Sequence, residues 1–441
     1  MPARGPYDEA AAPAALAAVA GDARRLAAAV RARVAGADVR FRGAGGSASF
    51  PLDPVPRVIS EEDWQHVKIG LAQRVKALNA FVADAYGARR IVKAGVVPAR
   101  VITTADHYEP AMRGVDPVGG QWIGIAGLDL VRVSHGEFRV IEDNLMTPSG
   151  FSYASAARDA VLPELDPGPG SVPRSFAELP ELLAGTLRAA ALEEAPYMVV
   201  FTDGPDNAAH WEHAWAASAI GVPLVERSDL QLDGTRLRHG EHTVDAVYRR
   251  TNADVLDSDV GQMLGPAMRA GTVGVINAFG CGVGDDKLTH AYVEDMVRFY
   301  LGEEPQLRSV QTLDLARPDH LERALDTFAE LVIKPRAGHG GLGVMICPHA
   351  EPAHVDELRE RVRASPREWV AQPFVELSTH PTLVDGALSP RHVDLRPFVF
   401  MHGPDHPRVL PGGLTRFAVD EGAMVVNSSQ NGGFKDTWVL P

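Results

Sequence analysis

FRVIEDNLMTPSG, residues Phe138–Gly150, opens as an alternating strand and closes in a Pro-Ser-Gly turn. Within it Glu142 and Asn144 stand two apart, so a strand places both side chains on one face. Two hard oxygen donors on one strand face, beside a turn, can form half of a Mg²⁺ site. Upstream, Ile123–Val133 reads IGIAGLDLVRV, an apolar strand broken by Asp129. Ser134-His135-Gly136 reads as a hairpin turn that would bring Asp129 to the other two as a third ligand. The same residues also describe a hairpin with polar surface positions. The hairpin alone leaves both readings open.

The surrounding chain has 441 residues, too many for one compact core, so two or three packed lobes are expected. It is 45% hydrophobic and 23% charged, an ordinary globular composition. A net charge of −14 argues against a general nucleic-acid binder, although local Lys and Arg with Mg²⁺ can still hold ATP. Cys281 and Cys347 are the only cysteines, which rules out a Cys-rich metal site and suits a reduced, cytoplasmic protein. The Ala-rich start is interrupted by Asp22, Arg24, Arg25 and Arg31, an amphipathic helix pattern and not a signal peptide. No run reaches the roughly 18 apolar residues of a membrane span.

The first 40 residues read as helix and Pro51–Ile59 as extended chain, because prolines forbid a helix there. Ser60 caps a helix that ends at Gly87, with Leu71, Val75, Leu78 and Val82 as its buried stripe. Arg113 lies in a loop feeding the hairpin, where substrate contacts are common, and a surface role suits it equally. Residues 163–180 are Pro-rich and read as a connection. Tyr197–Thr202, Pro223–Val225 and Thr243–Arg250 read as strands, with a helix over His210–Ile220. Strand-helix-strand repetition implies a small doubly wound unit, whose ligands sit at the C-terminal strand ends. Asp203, Arg249 and Arg250 fall there as candidate substrate contacts, with surface salt bridging as the plain alternative for the two arginines.

Val273–Ala278 is a further strand, followed by Gly280, Gly282, Gly284 and a helix read from Lys287 through HAYVEDMVRFYLG. Lys287 at this loop-to-helix junction suits an anion, although no Walker A spacing occurs. Leu331–Lys334 is a strand carrying one lysine, and it runs into AGHGGLGV with Gly338, Gly340, Gly341 and Gly343. A strand lysine beside a glycine hairpin can hold polyphosphate, since glycines let backbone approach the oxygens. Trp369–Glu376 is a strand bent at Pro373, and Gln372, Phe374, Val375 and Glu376 suit an adenine-binding hinge. His392–Phe400 puts Asp394 and Arg396 on one face, Arg416 follows in LPGGLTRF, and Asn427 lies in MVVNSSQNGG. Arg416 is placed to meet a transferring phosphoryl group.

Together these blocks resemble the ATP-grasp superfamily: strand Lys334 with its flap, the AQPFVE hinge, Asp394-Leu395-Arg396, Thr415-Arg416, Asn427 with Gly432-Gly433, and Asp129…Glu142-Asp143-Asn144. The last of these ordinarily closes the sequence, and here it comes early, which is a circular permutation. The wording of LDPVPRVIS, EDNLMTPSGFSYA, NAFGCGVGDDK, SPRHVDLRPFV and LPGGLTR resembles the circularly permuted ATP-grasp (type 2) family. That family is similar in core layout to the synthetase part of glutathionylspermidine synthetase. Gly127 stands where related synthetases have an arginine two residues before the Asp ligand, so Arg416 or Arg396 is expected to supply that charge.

The resemblance implies an α/β (α+β) fold: an N-terminal helical and extended region (1–114), the permuted metal hairpin (115–162), the small α/β lobe (163–275) and the nucleotide-binding lobes (276–441). It implies ATP and Mg²⁺ as cofactors, with Asp129, Glu142 and Asn144 on the metal and Lys287 and Lys334 on the phosphates. Arg396 and Arg416 would stabilise the transferring charge. The implied reaction joins a carboxylate to an amine through an acyl phosphate, with peptide-like products and in some cases an α-helical partner protein. A small-molecule phosphotransferase and a non-catalytic ATP-binding partner protein are the alternatives.

Overall fold

The computed structural model describes residues 9–41, 50–133, 136–168, 170–251, 255–338, 343–418, 420–423 and 432–441. Among these, the strands form four sheets. The largest runs, edge to edge, Ala10–Ala11, Leu52–Ile59, Gly433–Val439, Pro407–Phe417, Ala387–Met401, Ile125–Arg132 and Phe138–Asn144. Thr379–Val384 also pairs with Ala387–Met401. Neighbours are antiparallel except Leu52–Ile59 and Gly433–Val439, which run parallel. Strands from the start and end of the chain therefore interleave. The early hairpin lies against a late strand, with Leu130 opposite Leu395 and Gly127 opposite Phe398.

The prolines of Leu52–Ile59 sit where the ladder slips. Asp53 pairs with Lys435 and Arg57 with Thr437, so residues 54–56 bulge opposite one residue. Proline has no N–H to give, and a bulge is where a sheet tolerates it. The Glu61–Tyr86 helix then starts where expected: Ser60 Oγ accepts from the Asp63 amide at 3.2 Å, and three acidic residues fill the first turn. Leu71, Val75, Leu78 and Val82 are fully buried in the core beneath the hairpin.

The small unit is a parallel sheet in the order Gly274–Ile276, Ala246–Arg250, Met198–Thr202, Leu224–Val225. Val199, Phe201 and Val247 pack into one core, while Val200, Ala246 and Tyr248 pack into another. Burial on both faces is why these strands read as continuous apolar runs. The strand expected over Thr243–Arg250 is shorter. His242–Thr243 belongs to a separate meander with Leu230–Asp233 and Arg236–His239, and Asp245 turns aside to accept the Tyr197 amide at 2.7 Å.

A fourth sheet, Leu313–Asp314, Trp369–Pro373, Leu331–Pro335, Met345–Ile346, is antiparallel and has its own core with helices Pro318–Asp326 and Pro352–Ala364. Pro373 is the last residue of its strand, so its missing donor costs little there. The long helix expected after Asp286 is broken. It forms Lys287–His290, Val293–Met296 and a π-helical turn over Val297–Leu301, with Tyr292 leaving helical geometry at φ −117°. No helix among the described residues is long and apolar enough to cross a membrane.

Candidate active site

The hairpin, the short Lys287–His290 helix and the Leu331–Pro335 strand converge on one cleft, lined by Glu142, Asp285, Lys287, His290, Lys334 and Gln372. Acidic residues of the preceding loop fix this convergence. Asp285 accepts the backbone amides of Leu145 at 2.8 Å and Met146 at 3.1 Å, which clamps the hairpin's end to the loop. Asp286 caps the Lys287 helix through the Leu288 amide and pairs with Arg336 Nε at 2.8 Å. Arg336 directly follows the Lys334 strand, so the two lysines come from elements tied to each other.

Lys287 Nζ lies 4.0 Å from Glu142 Oε1 and donates to the Gly338 carbonyl at the flap's near end. Burial pushes Lys334 below its usual pKa; Lys287 adds to this, while Glu142 and Asp129 oppose it. A buried ammonium next to a second one is a site that gains from an anion. Gly338 (φ +97°) and Gly343 (φ +74°) flank the flap in left-handed geometry that side chains resist. Gly340 and Gly341 lie outside the described residues, as do Asn427 and the turn residues Ser134 and His135. Gln372 is buried and donates to Thr312 Oγ1 at 2.8 Å. After it, the Phe374 amide donates to Glu330 O at 3.1 Å, Val375 is half-buried and Glu376 exposed.

Beside the cleft two carboxylates and two guanidiniums alternate. Asp129 Oδ1 accepts from Arg396 Nε at 2.6 Å and Oδ2 from Nη2 at 2.8 Å. Arg416 Nη2 reaches the same Oδ2 at 2.9 Å and Asp394 Oδ2 at 2.5 Å. Burial works to raise the Asp129 pKa, but Arg396 and Arg416 outweigh it and hold it at about 2. Burial pushes Asp394 the other way, above the usual carboxylate range, with Arg416 opposing. The space that an arginine at position 127 would fill is occupied: a Cβ on Gly127 would meet Arg396 Cδ at 3.4 Å. Both Arg396 and Arg416 thus bring charge to Asp129.

Among the described residues no group of three or more His, Cys, Asp or Glu side chains could hold a metal ion by itself. The hairpin donors nonetheless suit a hard cation shared with phosphate oxygens. Glu142 pairs with Asp129 across the two strands, and Asn144 with Gly127. The Asn144 Nδ2 is buried without a partner, and an amide flip would exchange it for an oxygen ligand at the same place. A carboxylate offers about four lone-pair directions. The guanidiniums take three on Asp129, which leaves Oδ1 one for a cation.

Three residues that carry no signal in the sequence complete the surroundings. Asp143, on the strand face opposite Glu142, is gripped by Arg74 at 2.6 and 2.8 Å and by His290 Nδ1 at 2.8 Å. The middle letter of EDN reads like any inward strand residue. The remaining candidates lie elsewhere. Arg250 is buried and donates to Pro148 O at 2.7 Å and Glu212 Oε1 at 3.2 Å, so it braces the Pro-Ser-Gly turn. Arg249 is buried with its guanidinium 4.5 Å over the Phe279 ring. Asp203 is exposed and accepts from Asn207 at 3.3 Å, and Arg113 is exposed in its loop.

A mixed α/β fold with its hairpin ahead of the Lys334 strand is that of a circularly permuted ATP-grasp protein. The chain belongs to the circularly permuted ATP-grasp type 2 family, which residues 56–418 match. An uncharacterised protein of Mycobacterium tuberculosis is 43% identical over 418 residues, covering 91% of this chain and 76% of that one. A Frankia casuarinae protein with the provisional name glutamate–cysteine ligase 2-2 is 45% identical over 423 residues, covering 90% of this chain and 48% of that protein. The apo structure of a glutathione synthetase-like effector from Globodera pallida shares the fold, with a TM-score of 0.62 at 9% identity over 94% of this chain and 96% of that one.

Proposed function

We propose that the chain is an ATP- and Mg²⁺-dependent carboxylate–amine ligase. The observation that carries this reading is the meeting of Lys287, Lys334 and Glu142 in one cleft, beside the Asp129–Arg396–Arg416 cluster. Family membership and the provisional ligase name of the longer Frankia relative support the class. Lys287 and Lys334 bind the polyphosphate, and the flap from Gly338 to Gly343 excludes water from the reacting centre. Gln372, Phe374, Val375 and Glu376 hold the base. Mg²⁺, when held by Glu142, Asn144 and the remaining lone pair of Asp129, neutralises phosphate charge.

A substrate carboxylate oxygen attacks the γ-phosphorus, the bond from that phosphorus to the β-γ bridging oxygen breaks, and ADP leaves. Arg396 and Arg416 are fixed by Asp129 and Asp394 so that their remaining donors meet the developing charge without reorganising. An amine then attacks the acyl carbon, inorganic phosphate departs, and the amine loses a proton as the amide forms. The substrates are small molecules of the amino-acid or peptide class, with the exposed Asp203 and Arg113 on their side, whereas Arg249 and Arg250 are buried in packing, and an α-helical protein is a candidate partner. The test is ADP release across amino acids, short peptides and polyamines, with product masses. A ligase releases ADP and phosphate only when acid and amine are both present. Phosphate retained on an acceptor would identify a phosphotransferase instead.

A further inference from the structure

The Pro-Ser-Gly turn at residues 148–150 is held from the small parallel unit by a carboxylate. Glu212, fully buried on the helix His210–Ile220, accepts the Ser149 hydroxyl at 2.6 Å on Oε1. Its Oε2 accepts the Gly150 amide at 2.9 Å, the Ser152 hydroxyl at 2.6 Å and the Ser152 amide at 3.3 Å. Arg250 Nη2 donates to Oε1 at 3.2 Å, while Arg250 Nη1 holds the Pro148 carbonyl at 2.7 Å. These donors fill the about four lone-pair directions that a carboxylate offers. Glu212 therefore has no acceptor to spare for a substrate, and what it does for the reaction it does through the turn.

On its other side the turn lies against Arg396. Asp129 grips Nε and Nη2 of that guanidinium, so the remaining Nη1 edge is set from the Ser149 side, where Ser149 O accepts from it at 3.3 Å. A Cβ on Gly150 would lie 2.8 Å from Phe398 Cζ and 3.3 Å from Leu414 Cδ2. Leu414 stands opposite Arg396 in the ladder. Contacts this close leave no slack, so a shift of the turn moves the wall against which Arg396 is packed. We propose that Glu212 is a positioning residue for phosphoryl transfer, which aims the Nη1 edge of Arg396 through the turn, with Arg250 as its partner. The inference rests on the ATP-site reading above. It gives the small parallel unit a part in the reaction besides any substrate contact, since that unit then holds the arginine that meets the transferring charge.

The test is a double-mutant cycle on the whole chain, read as ADP release at saturating Mg-ATP with an acid and an amine that the wild type turns over. Glu212→Gln keeps the shape, but an amide whose oxygen stays on the Gly150 and Ser152 amides turns its NH₂ toward Arg250. It lowers kcat about 10- to 100-fold, as a small misplacement of a reacting group does. ATP affinity by calorimetry stays within about twofold, because the lost interaction belongs to the transition state. Added to Arg396→Lys, Glu212→Gln costs less than about threefold more, because the group it aims is already gone. Ser149→Ala removes one bond from the turn and leaves no buried charge unpaired, so it serves where Glu212→Gln is too unstable to assay. It lowers kcat about fivefold, and it too has little further effect on Arg396→Lys. Losses that multiply in the cycle overturn the proposal, since a general structural defect adds to that of Arg396→Lys. Turnover within about twofold of wild type in both Glu212→Gln and Ser149→Ala overturns it as well. A wild type that binds ATP but releases no ADP with any acid and amine removes the phosphoryl-transfer reading itself, and the proposal with it.

Discussion

Arg396 faces Asp129 across the junction of the hairpin with the late strands, and the two pair at both ends of the carboxylate, at 2.6 and 2.8 Å. The register explains the match: Leu395 lies opposite Leu130 in an antiparallel pair, so the residue after the first, Arg396, meets the residue before the second, Asp129. Two-point pairing needs a planar guanidinium, and it leaves one N–H edge of Arg396 for other work. Nη1 donates to Ser149 O at a long 3.3 Å.

Arg396→Lys keeps the charge and loses the fork. Turnover, followed as ADP release at saturating Mg-ATP, is expected to fall about 10²- to 10³-fold. The melting temperature should move little, because Arg416 still reaches Asp129 at 2.9 Å. Turnover within about twofold of wild type would leave Arg396 a purely structural residue.

Lys334→Ala removes an ammonium that burial already disfavours. The free protein should be as stable as wild type or slightly more so. Mg-ATP binding should weaken about 10- to 100-fold, the worth of one charge-assisted contact. Calorimetry and thermal melts on the same sample separate the two effects. Unchanged affinity would take Lys334 out of the phosphate site.

Glu142→Gln keeps the shape of the cleft and removes its one half-exposed carboxylate on the hairpin face. The Mg²⁺ concentration for half-maximal ATP turnover should rise about tenfold or more, with ATP binding at saturating Mg²⁺ little changed. An unaltered Mg²⁺ titration would show that the hairpin does not hold the cation.

Much of this arrangement is legible in the amino-acid sequence. Strand alternation places Glu142 and Asn144, the Ser60 cap and the 71–82 stripe place the first long helix, and apolar runs mark the parallel sheet. The topological rule points to Arg249 and Arg250 as strand-end residues, but burial against Phe279 and Glu212 depends on packing that no local pattern records. His290 is invisible for the same reason. Its partner Asp143 is 147 positions away, and Arg74 comes from a third element. The break at Tyr292 is also tertiary, since its hydroxyl binds Asp314 at 2.6 Å.

Gly127 offers a separate check on how the arginines share space. A Cβ there would lie 3.2 Å from both Phe398 Cε1 and Pro148 Cβ, as well as close to Arg396. Gly127→Arg should therefore destabilise the protein by about 1–3 kcal/mol through overpacking. Combining it with Arg396→Ala opens the contested volume and should recover part of the loss. Denaturant midpoints decide the matter, and additive effects would show that the two positions do not compete.

Glu9 directly precedes the edge strand Ala10–Ala11, accepting from Arg57 Nη2 at 2.6 Å, Arg132 Nη1 at 3.1 Å and Ser378 Oγ at 2.6 Å. Burial acts to raise its pKa, but Arg57 and Arg132 prevail, and the folded value lies below the ordinary one. A depressed carboxylate contributes stability that is fully present above the unfolded pKa, about 4.3 for Glu, and is lost as pH falls through the lower folded value. Glu9→Gln should thus cost about 3–5 kcal/mol at pH 7, because Arg57 is left buried without its partner. The variant should also lose part of the wild type's steepening below about pH 4.3. Urea unfolding at neutral pH and across the acid range measures both. If the two proteins lost stability in parallel on acidification, the buried pair would not be a source of the acid sensitivity.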